Sequence, residues 1–304
     1  MLVQQNKPSL DPIHIEINPN NVKVDLLRID KVHEHVSGNK WFKLKYNLAK
    51  AKEEGYDTLL TFGGAYSNHI YATAVAAKEA GFKSIGIIRG EETLPLNPTL
   101  RFAVFMGMDL LYVSREQYRN KQDPEFIEKL KEKFGKFYLV PEGGSNHSAI
   151  RGAEEILDEK LVDKYDYVVS AVGTGGTLAG LISKLNGKSF VVGISSLKGD
   201  FLHDEVRRYL KLVKKDHLTN WDISYNYHFG GYAKHKRELI AFINNFKIEQ
   251  GVALDPIYTG KMMYGVMDMA ANERFKPDSK VLAIHTGGLQ GIEGFNKRFG
   301  GLIR

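Results

Sequence analysis

Ser37-Gly38-Asn39-Lys40 is a polar turn that delivers a lysine to the start of a helix-spaced stretch beginning Trp41-Phe42. An amine among Trp41, Phe42 and Leu44 is desolvated, which favours its neutral form. A neutral amine is a nucleophile toward an aldehyde, so Lys40 is suited to a Schiff base. Taken alone, Lys40 reads more readily as one more solvated cation than as a nucleophile. Three other stretches also lie between an apolar run and a helical pattern: Gly63-Gly-Ala-Tyr-Ser-Asn-His69, Gly173-Thr174-Gly175-Gly176-Thr177, and Asp255-Pro-Ile-Tyr258-Thr259-Gly-Lys261. Open α/β sheets place their ligands at such junctions.

Gly173–Thr177 follows a β-branched run and opens a helix, where free backbone N–H groups and the helix dipole attract an anion, best a phosphate. The dinucleotide fingerprint fails because Leu178 stands where its third glycine belongs. A P-loop fails because Ile182 stands where Gly187-Lys188-Ser189 needs a glycine. A ligand-free glycine turn is the alternative. Ser67-Asn68-His69 marks a helix start, where the Ser67 hydroxyl and backbone N–H groups can hold a carboxylate or simply cap the helix. His33-Glu34-His35 lacks the helical spacing of a zinc site, and Gly143-Gly-Ser145-Asn-His147 lacks the last glycine of a nucleophile elbow. Neither a metal centre nor a serine-hydrolase triad is expected.

These motifs need elements to hold them. Strands are predicted at 24–30, 58–62, 84–88, 110–113, 137–140, 167–172, 190–194, 223–229 and 281–284. Helices are predicted over 41–54, 69–80, 98–106, 124–134, 148–160, 177–185, 200–214, 234–250 and 261–273. Continuous apolar strands alternating with helices imply parallel sheets covered on both faces. The expected fold is α/β, with two open, mostly parallel three-layer αβα domains. The βα series over 44–152 forms a smaller inserted domain, and 1–43 plus 153–304 form the larger one.

The chain has 304 residues, 43% hydrophobic and 26% charged, the composition of a folded enzyme rather than a disordered chain. No apolar run reaches the ~20 residues of a membrane span. The polar stretch Met1–Leu10 has no signal core, so no membrane association or export is expected. The absence of cysteine excludes disulfides and thiolate chemistry, and with them agrees a cytoplasmic location. The net charge of +6 is spread among acids, as in Glu128-Lys-Leu-Lys-Glu-Lys133. Its densest basic stretch, 207–215, reads as a solvated helix face, so nucleic-acid binding is not expected.

Together, in this order, the four stretches resemble the 1-aminocyclopropane-1-carboxylate (ACC) deaminase / D-cysteine desulfhydrase family. These are pyridoxal 5'-phosphate enzymes of fold type II, the tryptophan-synthase-β-like fold, and the resemblance runs from about 24 to 290. It implies a Schiff base to Lys40, which also moves the Cα proton, and a phosphate contact from Lys43. It implies that Ser67 lies over the substrate carboxylate and assists proton transfer, that Asn68 bonds the cofactor's phenolate oxygen, and that His69 adds a carboxylate contact. The backbone of Gly173, Thr174, Gly175, Gly176 and Thr177 would bind the phosphate, and Tyr258 and Tyr232 would stand at the substrate. The family pattern Gly-Asn-Lys-Thr-Arg-Lys-Leu-Glu is broken by Trp41, Phe42 and Lys45, and an expected arginine is Tyr71.

Thr259 occupies the position where ring-opening deaminases of the family resemble one another in having Glu beside the pyridine nitrogen. A neutral residue there weakens the electron sink and suits elimination, in which a leaving group departs. D-Cysteine desulfhydrases resemble this chain in having Thr. The implied reaction is α,β-elimination of a small amino acid, with D-cysteine giving pyruvate, ammonia and sulfide. ACC deamination to 2-oxobutyrate and ammonia is the alternative. The resemblance also implies a homodimer and a lyase, or for the deamination a hydrolase.

Overall fold

The computed structural model describes residues 2–304. In chain order, β1 (Ser9–Ile13) and β2 (Lys23–Arg28) precede α1 (Asn39–Glu53). Next come β3 (Thr58–Gly64), α2 (Asn68–Ala80), β4 (Lys83–Arg89), α3 (Pro98–Phe105), β5 (Met108–Val113), α4 (Arg115–Arg119), α5 (Pro124–Phe134) and β6 (Tyr138–Val140). The rest comprises α6 (His147–Glu154), α7 (Glu159–Val162), β7 (Tyr167–Val172), α8 (Gly176–Leu185), β8 (Phe190–Ser195) and α9 (Leu202–Leu212). It ends with β9 (Trp221–Ser224), α10 (Arg237–Gln250), α11 (Thr259–Ala271), β10 (Lys280–Ile284) and α12 (Gly291–Phe299).

Two sheets result. The order β1-β2-β10-β7-β8-β9 makes a six-stranded sheet, parallel except for the β1–β2 pair, and β5-β4-β3-β6 makes a four-stranded parallel sheet. The α/β, mostly parallel expectation holds. In β7, alternate residues serve opposite faces, as strand geometry requires. Val168 and Val172 join a core with Leu178, Leu181 and Leu210, while Val169 and Ala171 join one with Leu239, Met262 and Val266. Burying a side chain such as Leu181 or Met262 stabilises the fold by about 1.5–3 kcal/mol. The four-stranded sheet is likewise packed on both sides, by Leu130 and Phe137 on one face and by Ile70, Ala74 and Leu100 on the other.

Several predicted elements differ. The 148–160 helix is two: α6 ends at Glu154, and Asp158 starts α7 anew by accepting a hydrogen bond from the Leu161 N–H. The 223–229 strand stops at Ser224, and Phe229 has φ of 51°, in the left-handed region that no strand uses. β1, α4 and α12 were not predicted. β1 contains Pro12, which is tolerated because β1 is an edge strand. Among the described residues no helix is long and apolar enough to cross a membrane, and no cluster of three metal-ligating side chains is found.

Candidate active site

A cavity of about 830 Å³ opens past the C-terminal ends of β3, β7 and β10. The residues that follow those strands, Ser67–His69, Gly173–Gly175 with Thr177, and Thr286–Gly288, line it together with Lys40 and Lys43. Both sheets therefore contribute to one site.

Lys40 stands in the first turn of α1. Gly38 holds φ of 65°, and a Cβ there would lie 2.0 Å from the Thr286 carbonyl oxygen, so only glycine lets the turn approach β10's trailing loop. The Asn39 N–H donates to that same carbonyl at 3.2 Å. The Asn39 side-chain amide donates to Thr177 Oγ1 at 2.9 Å, and its oxygen accepts from Lys40 Nζ at 3.1 Å. One asparagine thus ties the lysine to the glycine loop. Desolvation lowers the Lys40 amine from 10.5 to about 8, against the opposing pull of Asp255.

Lys43, one turn on, is 2% exposed and donates to Ser145 Oγ at 2.8 Å; Ser145 in turn shares a 2.7 Å hydrogen bond with the Thr174 hydroxyl. Burial, and then the neighbouring Lys40 charge, pushes Lys43 well below the usual lysine range. A Cβ on Gly176 would fall 2.7 Å from Ser145 Oγ and 3.2 Å from Lys43 Nζ, so this glycine makes room for the amine. Gly176 is the one member of the predicted loop that does not line the cavity; it underlies the wall as the first residue of α8.

Ser67 caps α2, its hydroxyl oxygen accepting from the His69 and Ile70 N–H groups at 3.2 and 3.3 Å. Asn68 lies across from Gly288, where a Cβ would sit 3.0 Å from its Nδ2. His69 departs from its expected part. Burial, then Lys40 and Lys43, hold it well below the ordinary histidine range, so the ring is neutral. The Thr61 hydroxyl donates to the Val140 carbonyl at 2.8 Å, so it accepts from His69 Nε2–H, also at 2.8 Å. His69 then has no N–H left to give a carboxylate, and its buried Nδ1 is without a protein partner.

Tyr258 and Tyr232 face each other with ring centroids 6.2 Å apart, and Tyr258 lies against Gly173. Burial, then Tyr232 and Asp255, hold the Tyr258 phenol well above its usual range and hence protonated. Lys261 fastens the turn before Tyr232 by donating to the His228 and Gly231 carbonyls at 2.9 and 2.8 Å. Thr259 is not brought to the cavity. It is fully buried, and its hydroxyl donates to Asp255 Oδ1 at 2.7 Å while accepting from the Asp255 N–H at 2.8 Å. Asp255 also accepts from the N–H groups of Ile257, Tyr258 and Thr259, fixing the start of α11.

Sequence reasoning missed Asn39, Ser145 and Thr286 as site residues. Asn39 and Ser145 sit inside motifs already singled out. Thr286 precedes Gly287-Gly288 after the last strand, a strand-to-glycine junction of the kind used at 173–177.

These residues fit pyridoxal phosphate. A buried amine at Lys43 with a hydroxyl but no carboxylate beside it, next to a glycine turn at the start of a ten-residue helix, suits a phosphate. A largely desolvated second amine, Lys40, suits an aldehyde. A family model for "Pyridoxal-phosphate dependent enzyme" matches residues 23–287. A protein of Pyrococcus abyssi (strain GE5 / Orsay), named "Putative 1-aminocyclopropane-1-carboxylate deaminase", is 35% identical over 89% of this chain and 86% of its own. The mitochondrial "Bifunctional D-cysteine desulfhydrase/1-aminocyclopropane-1-carboxylate deaminase" of Arabidopsis thaliana is 31% identical over 90% of this chain and 74% of its own. A crystal structure described as an ACC deaminase homologue superposes with a TM-score of 0.83 at 29% identity, covering 99% of this chain and 95% of that one. Lyase chemistry fits these relatives, and the hydrolase expectation is corrected.

Proposed function

The chain belongs to the pyridoxal-phosphate dependent enzymes, and from that premise we propose that it performs α,β-elimination on a small amino acid, with D-cysteine giving pyruvate, ammonia and sulfide. Lys40, Lys43 and the Gly173–Thr177 backbone would hold the cofactor, which when bound would supply an electron sink for removal of the Cα proton. Lys40 takes that proton on its own Nζ, and the tie through Asn39 to Thr177 keeps the amine on the side of the glycine loop. Ser67 and Asn68 hold the substrate carboxylate at the positive end of the α2 dipole. The protonated Tyr258, with Tyr232, donates toward the departing group.

The observation that carries the choice of elimination is the wall formed by the start of α11 and the end of β10. Position 259 supplies no carboxylate, its hydroxyl is committed to Asp255, and the residue that reaches the cavity, Thr286, is also neutral. ACC deamination is the second reading, favoured by the names of the Pyrococcus and Arabidopsis relatives. Domain limits at 44–152 against 1–43 plus 153–304, a homodimer and a cytoplasmic location belong to the same proposal. The first limit draws support from the four-stranded sheet, whose strands all lie between 58 and 140.

A substrate panel tests the reading. Pyruvate, 2-oxobutyrate and sulfide are measured separately from D-cysteine, L-cysteine and ACC. Pyruvate with equimolar sulfide from D-cysteine is the expected result, and 2-oxobutyrate from ACC at a higher kcat/KM would transfer the assignment to ring opening.

A further inference from the structure

Beside the main cavity lies a second chamber of about 580 Å³, and the two share walls at Gly64, Arg89, Lys121, Glu142 and Tyr232. The main cavity alone falls within the ~300–1,000 Å³ typical of small-molecule sites, so a three-carbon amino acid has no need of the second space. Its lining is strongly one-signed. Arg89, Arg115, Arg119 and Arg298 are exposed to it, and Glu142 is its one carboxylate. Glu142 is matched by Lys121 at 3.4 Å. Among the described residues none of the four guanidinium groups lies within ion-pair distance of a carboxylate. Arg89 is oriented by the Tyr118 ring, 5.6 Å from its centroid, so that it stands at the passage between the two spaces.

Four unneutralised guanidinium groups around one concavity match the fork geometry of a carboxylate, sulfonate or phosphate. We propose that the second chamber is an oxyanion subsite for a second anionic group carried by the amino-acid substrate, reached through the passage beside Arg89 and Tyr232. This rests on the elimination reading above and extends it: the substrate class becomes amino acids whose β-substituent bears a charged oxyanion. The same groups draw anions toward the entrance, an attraction that salt weakens.

The test compares O-phosphoserine with β-chloroalanine, both enantiomers of each, on the cofactor-loaded enzyme and on an Arg115→Gln/Arg119→Gln/Arg298→Gln variant. These arginines line only the second chamber, so the variant isolates it from the main cavity. In the wild type kcat/KM should favour O-phosphoserine by about tenfold or more, and the variant should lose that preference through KM while β-chloroalanine turnover stays within about twofold. No preference in the wild type, or one that survives in the variant, overturns the proposal. Calorimetric titration separates it from the elimination reading: if neither compound is turned over, the reading fails alone, and O-phosphoserine heat present in the wild type but lost in the variant still supports the subsite. Absence of that heat in the wild type overturns it. Inorganic phosphate binding as tightly as O-phosphoserine would make the ligand a free anion and overturn the substrate-borne assignment.

Discussion

Lys43 and Arg298 are both cations near one site, yet they are held in opposite ways. Lys43 is sealed at the deep end, held by Ser145, and its charge is suppressed by burial. Arg298 stands exposed at the outer chamber with no carboxylate beside it. The difference follows from desolvation. A buried amine gives up its charge easily and suits a fixed partner or a reaction, whereas a hydrated guanidinium keeps its charge and suits transient capture. The deep end is therefore a place of tuned chemistry, and the outer chamber one of selection.

Breaking the deep end should have the largest effect. Lys40→Ala should lower turnover by about 10³-fold or more and abolish the near-visible absorbance of the loaded protein. A borohydride-fixed adduct on the variant would move the anchor to another lysine. Lys43→Ala should leave the fold intact and weaken cofactor affinity about ten- to hundredfold, the worth of one charge-assisted hydrogen bond of ~1.5–3 kcal/mol. Equilibrium dialysis measures that affinity, and an unchanged value would remove Lys43 from the phosphate end. The smallest test sharpens the contrast between tuned and hydrated cations. Because Lys40 falls from 10.5 to about 8, its neutral fraction grows as pH rises toward 8 and saturates above it. Reconstitution of cofactor-free protein, followed by absorbance, should thus slow about fivefold between pH 8 and pH 7 and gain no more than about twofold above pH 8. A rate still climbing to pH 10 would mean an ordinary, hydrated lysine. The same shift makes the folded protein bind fewer protons than the unfolded chain between 8 and 10.5, so cofactor-free stability should rise with pH across that window.

The deep end was legible in the sequence because its residues come in short motifs. Gly38 must be glycine to meet the Thr286 carbonyl, and Gly176 must be glycine to admit Lys43 and Ser145. The parallel sheets were legible because strands buried on both faces, such as Tyr167–Val172, read as unbroken apolar runs. The outer chamber left little trace: Arg115 and Arg119 share α4 one turn apart, but only the fold brings them to Arg89 at the end of β4 and Arg298 in α12. The part of Thr259 was misjudged for a related reason: its burial against Asp255 depends on how α11 starts, which spacing does not reveal. α4 could have been found, because Ser114 and Gln117 form a capping box readable in the sequence. The early end of the strand expected over 223–229 could not, because Phe229's left-handed backbone has no mark in residue type.

β10 lies between β2 and β7 in the middle of the six-stranded sheet, although it is the last strand in the chain. During synthesis, which adds about 5–20 residues per second from the N-terminal end, β2 leaves the ribosome long before its central neighbour exists. The seat of the Lys40 turn on Thr286 arrives later still. A nascent chain therefore carries its reactive amine for many seconds in a gapped sheet, and the enzyme is assembled only when the final strand slots in.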